Sequence, residues 1–224
     1  MLIKYILENT NTMTYTDTVL EQTRGYQRFF QRPVKEKAYD RLEQSLGLFD
    51  ALGDRMVEAG LGVMILPLQE DETALRLNPD FTDEINRLAG GSAYYASNAL
   101  KMILHPESRK AIAGAHHQQL VLCTDFLGRE VFDHELAHFV YTNLLTDPTK
   151  KIIGSLFHET TQYHPFREPH KQINSEEYFA RSTEAHLGRK GMFGPHRKLR
   201  KKDPQLARLI SDVLEGKKGL IKAT

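Results

Sequence analysis

His134-Glu135-Leu136-Ala137-His138 decides how this chain is read. In an α-helix, positions i and i+4 project from one face a turn apart, so this spacing sets two imidazoles side by side with a carboxylate next to them. The flanking residues favour the helix independently. Between 129 and 145 there is neither Gly nor Pro, and Leu136, Val140 and Leu144 recur every four residues with Ala137 and Tyr141 alongside. One stripe is therefore expected to be buried, leaving the histidines on an adjacent face. Asp147-Pro148 is expected to stop the helix, because proline lacks a backbone donor and restricts the residue before it. A near repeat, His158-Glu159-Thr160-Thr161-Gln162, ends in Gln and fails the pattern.

On a helix, H-E-x-x-H is the pattern of zinc metallopeptidases, with the histidines as ligands and the glutamate as general base. A catalytic zinc takes three protein ligands and keeps a fourth position for water, which calls for another donor downstream. Glu177 is the leading candidate, 39 residues beyond His138 in Asn174-Ser175-Glu176-Glu177-Tyr178-Phe179-Ala180. That separation lets the first helix end, a loop reverse and a second helix return. Glu176 and Glu184 compete for the role. Asn174 with Glu177 three residues later also reads as a capping box, which would turn the carboxylate towards its own helix N-terminus.

The two motifs together resemble the zinc peptidases of the anthrax lethal factor catalytic-domain type, which include secreted clostridial Pro-Pro endopeptidases. Upstream, the segment from Arg41-Leu42 through Leu52 to Leu61-Gly62-Val63-Met64-Ile65-Leu66 is similar to that family's long helix and first strand. Downstream, Pro204-Gln205-Leu206-Ala207-Arg208-Leu209-Ile210 is similar to its closing helix, so the resemblance spans roughly 35–215. It implies that Zn2+ is held by His134, His138 and Glu177, with Glu135 taking a proton from water and passing it to the leaving amine. Two positions depart from the family. Arg181 stands where a second Glu is usual, four residues after the ligand. His170 stands where a Tyr normally faces the oxyanion; an imidazole can donate there, and Tyr163 or His164 could serve instead.

The fold implied is α+β: a single zincin-like metallopeptidase domain at 33–224, with a small mixed sheet, the H-E-x-x-H active-site helix and a helical C-terminal half. Residues 1–32, which include a short apolar run at the start, read as an N-terminal extension. A long amphipathic helix is expected at 35–59, burying Ala38, Leu42, Phe49, Leu52 and Met56 and ending at Gly60. Val63-Met64-Ile65-Leu66 reads as a buried strand, 74–77 as another and 82–88 as a short helix. Ser92-Ala93-Tyr94-Tyr95 and Leu100-Lys101-Met102-Ile103-Leu104 read as a strand pair, and 120–124 as a further strand. Either 120–124 or 93–97 is expected to be the edge that pairs with substrate backbone.

Composition narrows the class. A chain of 224 residues with a formal net charge of +1 and 26% charged residues is an ordinary globular protein, with no bulk reason to bind nucleic acid. Cys123 has no partner for an internal disulfide and sits in an apolar run. No segment approaches a membrane span, and the first residues do not form a signal peptide, so the chain reads as cytoplasmic or exported by a leaderless route. The basic stretch Arg189, Lys190, Arg197, Lys198, Arg200, Lys201 and Lys202 has little aromatic interleaving and reads as a solvated loop rather than a nucleic-acid contact. The expected function is zinc-dependent cleavage of a protein or peptide substrate, by a toxin or effector if the resemblance extends so far. The alternative is an inactive zincin-fold protein that binds or regulates through its basic loop or N-terminal extension.

Overall fold

Three strands make the sheet, β1 (Gly62–Leu66), β2 (Gly114–His117) and β3 (Leu120–Thr124). The computed structural model describes residues 13–68, 70, 72–104, 114–161, 174–188, 199–201 and 203–221. Both β1 and β3 are buried at all five positions, as continuous apolar runs must be when both faces are covered. β3 is central, parallel to β1 and antiparallel to β2. β2 and β3 join through a two-residue turn at Gln118-Gln119, where Gln118 has a φ of +60°. The Asn143 side chain donates to the Gln118 carbonyl at 2.9 Å and holds that turn.

Around the sheet lie α1 (Tyr15–Gly25), α2 (Glu36–Leu46), α3 (Gly53–Glu58), α4 (Glu72–Arg76), α5 (Pro79–Leu88) and α6 (Ala93–Leu104). The later half is helical, with α7 (Arg129–Phe139), α8 (Asp147–Thr161), α9 (Ser175–His186) and α10 (Pro204–Leu214). The molecule is thus mixed α and β, mostly helical, with a small mixed sheet. Among the described residues, no helix is long and apolar enough to cross a membrane.

The helix expected at 35–59 is interrupted. α2 ends at Leu46, a 3-10 segment runs from Gly47 to Leu52, and α3 follows, with Phe49 at φ −108° and ψ 17° in the break. Tyr15 explains it: its hydroxyl donates to the Leu46 carbonyl, and its ring lies where a side chain on residue 53 would project. Gly60, at φ +82°, then ends α3 with its N–H on the Val57 carbonyl.

Two stretches expected to be strands are helices. Residues 74–77 fall in and just after α4, whose Glu-Thr-Ala-Leu-Arg run contains good helix formers and buries Leu75 alone among its described side chains. The expected pair at 92–95 and 100–104 is the single helix α6, where Ala96, Ala99 and Ile103 recur at intervals of three and four and form one buried stripe. Residues 120–124 are a strand as expected, but the central one, so neither they nor 93–97 can be the free edge. That edge is β2.

Of the stretch read as an extension, residues 13–32 are described. Tyr15, Val19, Tyr26, Phe29 and Phe30 lie in the same buried cluster as the sheet. Both Glu70 carboxylate oxygens accept the backbone N–H groups of Gln31 and Arg32 at 2.9 Å. The apolar start and most of the basic stretch, including Arg189, Lys190, Arg197, Lys198 and Lys202, fall outside the described residues.

Candidate metal centre

α7 is anchored by Phe132, Leu136 and Phe139, all fully buried, each contributing about 1.5–3 kcal/mol of apolar burial. The adjacent face turns His134 and His138 towards α9. At Val140 the helix loosens into one π turn, Val140–Leu144, and the chain becomes extended at Leu145. The helix therefore stops where expected, and Asp147-Pro148 opens α8, since proline's fixed φ suits a first helical turn.

The π turn connects the two site helices. Tyr141 Oη and Ser175 Oγ are 3.0 Å apart, and Thr142 Oγ1 donates to Glu176 Oε1 at 3.4 Å. At the start of α9, Asn174 Oδ1 accepts the Glu177 N–H at 2.8 Å. Only this half of the anticipated capping box is found, because the Glu177 carboxylate points to the histidines instead.

Glu177 Oε2 lies 3.2 Å from His138 Nε2 and 3.5 Å from His134 Nε2, and the two Nε2 atoms are 3.1 Å apart. These three side chains could hold one metal ion. Each ring's other nitrogen faces a different carboxylate of α9. His138 Nδ1 donates to Glu176 Oε1 at 2.9 Å, and His134 Nδ1 lies 3.5 Å from Glu184 Oε2. Glu176 and Glu184, the competing ligand candidates, thus stand behind the imidazoles and orient them, as carboxylates behind metal-bound histidines do. Arg181 Nε donates to the remaining Glu177 oxygen, Oε1.

These groups form an ionic network. Burial acts to lower both imidazole pKa values, but hydrogen bonds with Glu177 and Glu184 outweigh it at His134, raising it to about 10. At His138, Glu176 and Glu177 do the same, raising it to about 9. Burial works against ionisation of Glu177 too, yet the two histidines hold its carboxyl far below the usual range. A metal must displace protons here, as at any imidazole site.

Glu135 is 7% exposed and borders a cavity of about 540 Å³ that also meets Gly114, His116, His134, His138 and Glu177. Burial raises its carboxyl pKa, the direction that suits a proton acceptor working near neutral pH. Cys123 is buried behind it, and burial, then the Glu135 charge, push its thiol well up, leaving a small apolar side chain.

His116 was not anticipated. It stands on β2 with its ring nearly parallel to His138, centroids 6.2 Å apart, and its Nε2 donates to the Gln118 carbonyl. Burial first, then the His138 charge, lower its pKa to about 4, so it is neutral at physiological pH. His170, Tyr163 and His164 lie outside the described residues. The chain matches no protein-family model, no curated protein and no solved structure.

Proposed function

We propose that this chain is a zinc-dependent endopeptidase hydrolysing peptide bonds in a protein substrate. The observation that carries the reading is the triangle of His134 Nε2, His138 Nε2 and Glu177 Oε2, with sides of 3.1, 3.2 and 3.5 Å. Ligands at the usual zinc bond lengths, arranged tetrahedrally, stand about 3.3 Å apart, whereas an octahedral magnesium site would draw them to about 2.9 Å. Two imidazoles and one carboxylate are also a known donor set of catalytic zinc, which leaves a fourth position for water. A zinc ion held there supplies a Lewis acid and brings the pKa of a water towards neutrality.

The remaining work falls to the chain. Glu135, beside the triangle, would take a proton from the attacking water and pass it to the leaving amine. Glu176 and Glu184 fix the two rings so that Nε2 faces the cavity. Among the described residues β2 pairs with β3 on one side only, which leaves its outer edge for the backbone of an extended peptide. The likeness of both motifs to lethal factor-type peptidases supports the same chemistry and extends the proposal to a toxin or effector acting on a protein of another cell. In that likeness His170 stands where a Tyr would face the oxyanion, with Tyr163 or His164 as alternatives.

Incubation of the zinc-loaded protein with a diverse peptide library, read by mass spectrometry, tests the proposal. The wild-type chain is expected to cleave, and Glu135→Gln to keep its metal and cleave nothing. Undiminished turnover by Glu135→Gln would remove Glu135 from the mechanism. A metal-loaded wild type that cleaves nothing would favour a binding or regulatory module instead.

A further inference from the structure

We propose that Arg181 is a positioning residue that confines Glu177 to a single metal-binding oxygen. The inference rests on the metallohydrolase reading above and concerns how the fourth ligand position stays open. Arg181 lies one turn beyond Glu177 on α9, and its side chain is only 4% exposed. Its Nε–H is donated to Glu177 Oε1, while Oε2 faces both imidazoles. The two oxygens of one carboxylate are thus divided between a guanidinium and the ligand triangle.

That division matters chemically. A carboxylate with both oxygens free can close on a metal with the pair, as happens at many calcium sites, and would then take the place reserved for water. A guanidinium prevents this without competing for the metal, because it has no lone pair to offer and stays protonated at any working pH. It also counters the negative charge of Glu135, Glu176, Glu177 and Glu184 crowded around two imidazoles. Glu184 completes the arrangement. An acid at position 181 could have oriented a histidine; here Glu184, further along α9, reaches His134 Nδ1 at 3.5 Å, so position 181 is free for a cation.

Cobalt(II) can replace zinc and reports its coordination number through visible absorption. Wild-type protein loaded with one equivalent of cobalt is expected to show the strong band of four-coordination. Arg181→Met, which fills much of the same buried space but cannot donate to Oε1, should keep the equivalent but show the weaker band of a five-coordinate ion, and its zinc form should turn over between about 10- and 100-fold more slowly. Arg181→Lys, which retains a donor for Oε1, should restore the band and most of the turnover. If Arg181→Met does not fold, Arg181→Leu also lacks a donor and should show the five-coordinate band. An unchanged band in the Met or Leu variant would overturn the role of Arg181 and leave the hydrolase reading standing. So would loss of metal from Arg181→Met that Arg181→Lys does not restore, the mark of a merely structural contact. A wild-type chain that takes up no cobalt would overturn the hydrolase reading and this proposal with it.

Discussion

Gly114 has no side chain because Glu135 stands where one would be. A Cβ at 114 would lie 2.7 Å from Glu135 Cγ, 2.9 Å from Glu135 Oε1 and 2.8 Å from Val131 Cγ1. Backbone of the β2 strand therefore meets the Glu135 side chain directly. Gly114→Ala is expected to keep a full equivalent of metal, since no ligand moves, and to lower kcat on the order of 10²-fold by displacing Glu135. Equal kcat values in wild type and variant at full metal loading would show that the close approach is incidental. His134, Glu135 and His138 were legible in the sequence because one helical turn fixes their relation. Glu177 was legible because a third donor was needed downstream, although Asn174 three residues before it offered the same carboxylate a capping role instead. His116 and the orienting role of Glu184 were not, because each depends on how a strand or helix is rotated against α7, which no local pattern encodes.

At the scale of elements, the site depends on the first turn of α9, where Asn174 caps the backbone and Glu176 and Glu177 face α7. Asn174→Ala is expected to cost about 1 kcal/mol of stability in metal-free protein, measured by urea unfolding, and to weaken metal binding because the unravelled turn carries two of the site's carboxylates. Asn174→Asp should behave nearly as wild type; equal losses in both variants would show that the cap is not the cause. The α7 and α9 helices and the continuous apolar runs of β1 and β3 were readable because burial imposes their pattern directly, whereas 35–59 reads as one helix and 147–161 does not read as a helix. β2 was not, since Gly114-Ala115-His116-His117 lacks the β-branched residues of a typical strand and is only half-buried. α6 was misread because Tyr94-Tyr95 and Met102-Ile103-Leu104 look strand-like, while small Ala96 and Ala99 carry the helical stripe.

At the scale of the whole molecule, the chain brings together two helices far apart in sequence and lays an open strand edge beside them. The sheet and α2 hold α7 from behind: Arg129 Nη2 donates to the Gln44 carbonyl at 2.8 Å and Arg41 to the Leu127 carbonyl. The C-terminal end closes the far side, where Ile221 N–H donates to the Leu144 carbonyl at 2.8 Å and Thr146 N–H to the Gly219 carbonyl at 2.9 Å. Residues 13–32 belong to the same buried cluster, so the described chain shares one core around the site. The central claim is that His134, His138 and Glu177 converge on one ion. It is tested most directly by the zinc content of purified protein after dialysis, wild type against Glu177→Ala. One equivalent in the wild type and none in the variant is the expected result; no zinc in the wild type, or a full equivalent in both, would contradict it.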